Sequence, residues 1–87
     1  MKATILYHPV SAEARIVEEY AHNFSRRGSQ TIELMSLETR EGAAMATLYD
    51  IVRYPALLVT DNTGQLHKVW QGEAMPLADE LAAYLVA

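Results

Sequence analysis

The segment from Tyr49 to Gly64 places the tightest constraint on what this chain can fold into. Proline has no amide hydrogen and pushes the residue before it out of the helical region. Pro55 therefore belongs at the very start of a strand, with Tyr54 in the extended approach to it. Ala56 to Asp61 reads as a buried strand, Asp61-Asn62-Thr63-Gly64 as a reversing turn, and Gln65 to Gln71 as the antiparallel partner. Upstream, Glu38 to Tyr49 reads as a helix rich in small residues, with Ala43, Ala44, Met45, Leu48 and Tyr49 available to approach a sheet. Gly42 weakens that helix by about 1 kcal/mol relative to alanine, a choice that propensity alone does not explain. Asp50 falls where a left-handed turn is needed, and aspartate tolerates that conformation better than most non-glycine residues.

The other elements follow from periodicity. Lys2 to Tyr7 is a β-rich apolar run consistent with a central strand covered on both faces, and His8-Pro9 ends it. Ser11 has the character of a helix N-cap, with Glu13 in the first turn. Ala14, Val17, Tyr20, Ala21 and Phe24 then recur at helical spacing, leaving Glu18, Glu19 and Asn23 on the wet side. Arg26-Arg27 suits the negative end of that helix, and Gly28 its left-handed cap. A second strand is expected near 30–35. Gly72 breaks the last strand, and Pro76 opens a final helix whose apolar stripe is Leu77, Leu81, Tyr84 and Leu85, with Asp79 and Glu80 facing solvent.

At 87 residues, 51% hydrophobic and 21% charged, the chain is expected to form one domain over residues 1–87. A domain this small gains from association, so a homodimer is one expectation, with the hairpin edge or Trp70 at the contact. A formal charge of -4 disfavours an electrostatic grip on nucleic acid. No apolar run approaches the roughly 20 residues that span a bilayer, and Met1 to Tyr7 reads as a strand rather than a signal peptide, so a cytoplasmic protein is expected, with no membrane partner. His8, His22 and His67 are scattered without metal-ligand spacing, so neither metal nor other cofactor is expected. The sequence contains no cysteine, which excludes disulfides, thiolate catalysis and thiolate metal ligands.

The order βαβαββα is similar to the short form of the thioredoxin fold. Glu38 to Ala87 resembles the second half of a thioredoxin, and Ile5 to Phe24 the first strand and active-site helix. The resemblance implies an α/β domain with a four-stranded mixed sheet, helices on both faces, and a cis Tyr54-Pro55 bond beside the first helix's start. It also locates a departure. Where the family places two cysteines separated by two residues, this chain has Ser11-Ala12-Glu13-Ala14. A hydroxyl cannot shuttle between thiol and disulfide. The family's buried acid on the first strand is replaced by an apolar residue near Ile5. The glycine pair and acid with which glutaredoxins hold glutathione are missing around Gly72-Glu73.

What the resemblance implies for function is a redox-inactive interaction or scaffold module. Its partner groove is bounded by Pro9, Val10, Ser11, Arg53, Tyr54 and Pro55, where the backbone of Tyr54 is available to an extended peptide or another subunit. The alternative is that the proline serves only the turn. Ser11 reads either as a plain cap or as a nucleophile served by His8, and no third member of a triad is evident, so no catalytic residue is assigned. A different class of function is a small-molecule binder resembling serine-type glutathione transferases, with Ser11 and helix amides holding an anion or thiolate. Trp70 reads either as a core residue or as an interface anchor.

Overall fold

The computed structural model describes residues 1–27, 30–72 and 75–85. Its elements are β1 (Lys2–Tyr7), α1 (Ala14–Arg27), β2 (Ile32–Ser36), α2 (Arg40–Leu48), β3 (Ala56–Thr60), β4 (Leu66–Gln71) and α3 (Ala78–Leu85). The expected cap at Gly28 and the acid position Glu73 lie outside the described residues.

The strands form one mixed sheet in the order β2-β1-β3-β4. β1 runs parallel to β2, β3 antiparallel to β1, and β4 antiparallel to β3. Side-chain alternation sends Ala3, Ile5, Tyr7, Leu57 and Val59 to the face covered by α1 and α3, where Val17, Phe24, Leu81 and Leu85 meet them. Leu6, Ala56 and Leu58 face the other way, against Ala46 of α2 and Ile51 beyond it. Trp70 packs on the first of these clusters and meets Tyr84 edge to face at 5.5 Å, so its indole serves the core side of the hairpin.

Some expectations shift. The second strand runs Ile32–Ser36 rather than near 30–35. The stripe of α2 is rotated: Gly42 and Ala46 are buried, with Met45 and Tyr49 half-buried, while Ala43, Ala44 and Leu48 face solvent. The cap of this helix is Thr39, whose Oγ1 accepts from the Gly42 amide at 3.0 Å and donates to the Ser36 carbonyl at 2.7 Å. Leu77 is 79% exposed, because it immediately precedes α3 and only its carbonyl is engaged, by the Leu81 amide. Pro76 stands two residues ahead of α3, and its carbonyl accepts the Tyr20 hydroxyl at 2.7 Å, joining α1 to α3. Burial and the Glu80 carboxylate raise the Tyr20 pKa, which keeps that donor protonated.

Gly42 has a steric explanation. A Cβ there would lie 2.0 Å from the Ser36 carbonyl oxygen, because α2 turns back directly over the end of β2. The backbone of Ser36 cannot yield without disturbing the β2 pairing at Tyr7↔Ser36.

The β3–β4 turn is as expected: the Gly64 amide donates to Asp61 O, the Asp61 amide to Gln65 O, and Gly64 has φ 88°. Asp61 organises it. Its carboxylate accepts from the Thr63 hydroxyl at 2.6 Å, the Thr63 amide at 2.9 Å and the Gln65 amide at 3.0 Å. A register shift, with Val59 opposite Lys68 and Thr60 opposite Leu66, sets His67 out of the pairing and lets its Nε2 reach Asp61 at 2.9 Å. The Thr63 hydroxyl foremost, then His67 and the Gln65 amide, hold the Asp61 carboxyl well below the usual carboxylate range.

Two outcomes follow from this geometry. Gly42→Ala should lower stability by about 1–3 kcal/mol in urea unfolding despite alanine's better helix propensity, since overpacking outweighs the gain. Asp61→Ala should lower the urea midpoint most above about pH 5, where the carboxyl is ionised in the unfolded chain as well as in the native one. Its folded pKa lies below its unfolded one, so its contribution fades as pH falls, and the gap between the two proteins should narrow toward pH ~2.

Candidate functional site

The β1–α1 connection and the α2–β3 connection meet at one end of the sheet. In the first, the Ser11 amide and hydroxyl both donate to the His8 carbonyl, at 3.1 and 2.7 Å, and the Ala14 amide donates to Ser11 O at 3.2 Å. The loop closes on itself before α1 begins at Ala14. Ser11 is therefore not the N-cap acceptor that the sequence suggests: its hydroxyl points its proton back into the loop, and Glu13, whose carbonyl takes the Val17 amide, stands at the helix start.

In the second connection, Asp50 adopts φ 57° and directs the chain out of α2. The Ile51 amide donates to Ala46 O at 2.8 Å, and the Tyr54 hydroxyl donates to Ile51 O at 3.0 Å. Gln71, the last residue of β4, reaches across with Oε1 to accept the amides of Val52 and Arg53 at 3.1 and 3.2 Å. The Tyr54-Pro55 peptide bond is cis, and the Pro55 carbonyl accepts the Gly72 amide at 3.0 Å. Among the described residues, the Tyr54 amide and carbonyl have no hydrogen-bond partner.

The expected groove residues divide. Ser11, Tyr54 and Pro55 come together around a recess of ≈ 30 Å³ shared with Tyr7, His8 and Glu13. Pro9, Val10 and Arg53 are exposed around it and do not line it, with Val10 88% exposed. Sequence reasoning missed the larger neighbouring hollow of ≈ 260 Å³, lined by Glu13, Ile16, Val17, Pro55 and Met75. Ile16 is 65% exposed on α1, one position off the buried stripe, and that offset was the available signal. Two further contacts also went unseen. The Tyr7 hydroxyl donates to Glu18 at 3.3 Å, and burial together with the Glu18 charge raises the Tyr7 pKa. The His8 ring meets the Tyr54 ring edge to face at 5.5 Å.

This arrangement bears on chemistry. Ser11 contacts the carbonyl of His8, not its imidazole, which is engaged with Tyr54, so no Ser–His dyad is assembled. Glu13 lines both hollows, and among the described residues no Lys or Arg does, which opposes an anion or thiolate there. Among the described residues no group of three metal-ligating side chains could hold an ion, and no helix is long and apolar enough to cross a membrane.

Element order, sheet topology and the proline elbow define the class: this is a thioredoxin-like fold without a cysteine, and dithiol exchange is closed to it. No family model and no curated protein matches the chain, so the class rests on architecture.

If Gln71 holds the elbow, Gln71→Ala should accelerate hydrogen exchange at the Val52 and Arg53 amides by about fivefold, the loss of roughly 1 kcal/mol per hydrogen bond. The Ile51 amide, bonded within its own segment, should be little changed.

Proposed function

We propose that the chain is a redox-inactive recognition module that captures an extended peptide segment across Pro9, Val10, Ser11, Arg53, Tyr54 and Pro55. The observation that carries this reading is the amide and carbonyl of Tyr54, unpartnered among the described residues, beside a hollow with an apolar wall. Strand-like docking needs both: main-chain groups to bond the incoming backbone, and a pocket for alternate side chains. Ile16, Val17, Pro55 and Met75 offer that pocket to one apolar side chain, and exposed Val10 extends the apolar rim. Glu13 at the edge favours a segment with a basic residue next to the buried one. The elbow is held by Gln71 and by the Pro55–Gly72 bond, which reduces the ordering cost of docking.

Selection from a random peptide display library should yield ligands with an apolar residue flanked by Lys or Arg. Ile16→Glu should weaken them by about tenfold or more, as expected for a residue lining the pocket, and Val10→Glu on the rim should weaken them several-fold. Leu48→Glu, on α2 across the sheet, should leave binding unchanged. Equal losses from all three substitutions would sink the reading.

A further inference from the structure

A second concavity lies on the α2 side of Tyr54. It measures ≈ 460 Å³, and its wall includes His8, Leu37, Thr47, Asp50, Ile51 and Tyr54. That size falls within the ~300–1,000 Å³ of small-molecule sites. His8 and Leu37 are the first residues beyond the carboxyl ends of the parallel strands β1 and β2, the position at which open α/β sheets hold ligands. The wall is fixed by backbone bonds: the Leu37 amide donates to Tyr7 O at 2.9 Å, and the Ile51 amide to Ala46 O at 2.8 Å.

Asp50 marks this cleft by its backbone and by its charge. Its φ of 57° is a conformation that glycine holds with less strain. It also sets a carboxylate just past the end of α2, where the helix dipole is negative and a cation is preferred. The last turn of α2 carries no basic residue, and among the described residues no basic group lies within ion-pair distance of Asp50. The left-handed turn is one the fold uses to leave α2, but the unpaired carboxylate adds nothing to the helix end. That charge makes sense if a positive charge arrives from outside.

The rest of the wall suits such a ligand. Thr47 Oγ1 donates to Ala43 O at 3.2 Å and keeps lone pairs free to accept from an ammonium. Leu37 and Ile51 supply apolar surface, and the Tyr54 ring offers a surface that packs an apolar body and attracts cations.

We propose that the cleft between α2 and the carboxyl ends of β1 and β2 binds a small organic amine. The ammonium lies against Asp50 and Thr47, and the apolar or aromatic body against Leu37, Ile51 and Tyr54. The site lies on the α2 side of the sheet, stands apart from the α1-side hollow beside Pro55, and does not depend on peptide capture.

Tryptamine, its neutral alcohol analogue tryptophol and the anionic indole-3-propionate distinguish the charge requirement. Titrating each into ¹⁵N-labelled protein, tryptamine should give saturable shifts at the amides of His8, Thr47, Asp50 and Ile51. Tryptophol should bind about tenfold more weakly, and the carboxylate should not bind. Asp50→Asn should weaken tryptamine about tenfold while its urea midpoint stays level or rises, because asparagine suits the left-handed turn without opposing the dipole. Asp50→Gly should do the same. Equal affinity for amine and alcohol, undiminished binding by either variant, or a lowered urea midpoint in both would overturn the proposal. So would the absence of saturable shifts at these amides up to ~10 mM amine, a concentration above any binding of use.

Discussion

The antiparallel contact between β1 and β3 supports everything else. Ile5 faces Leu57 and Leu6 faces Ala56, and all four are fully buried. Strands covered on both faces cannot pass their amides and carbonyls to water, so each group must be paired inside the sheet. β2 and β4 meet that demand on the outer edges, and helices on both faces keep the pair dry. Each large aliphatic side chain placed here contributes roughly 1.5–3 kcal/mol on burial, a large share of the stability of so small a domain.

That central pair also decides where the chain can be irregular. The strand ends converge at one end of the sheet, and the two loops there are tied by side chains from elsewhere: Gln71 to Val52 and Arg53, Tyr54 to Ile51, Ser11 to the His8 carbonyl. Two residues break local rules in the same neighbourhood. Gly42 weakens α2 as a helix but lets it pass over Ser36. Asp50 places a negative charge at the negative end of α2, and among the described residues no ion pair offsets it. The first is a packing requirement. The second is the residue on which the proposed amine site rests.

The fold is complete without sulfur. The helix start that would display a nucleophile here displays Glu13 beside an apolar hollow, and the serine hydroxyl is turned inward. Dithiol exchange is closed to such a surface, and shape and charge are what it has to offer. Tyr54 lines both the small recess beside Ser11 and the mixed-walled concavity on the α2 side, and the apolar hollow begins at the next residue, Pro55. A single side chain thereby borders both candidate binding surfaces.

Much of the architecture was legible in the chain because it is written in short-range patterns. A continuous apolar run marked Ala56 to Val59 as a buried strand, helical spacing marked Val17, Ala21 and Phe24, and turn chemistry marked Asp50, Asp61 and Gly64. The exclusion of thiol chemistry was also complete at that level, since composition alone decides it. Which side of α2 is buried, what Ser11 bonds and why position 42 is glycine were decided only in three dimensions. Each depends on a neighbour that local sequence does not specify: a sheet face beneath a helix, a carbonyl three residues back in a closed loop, a strand end under a passing backbone. The Tyr20–Pro76 bond spans 56 residues. Periodicity reports how a segment is wet or dry, whereas the partner that makes it dry, and the hollows left between partners, exist only once the layers have closed.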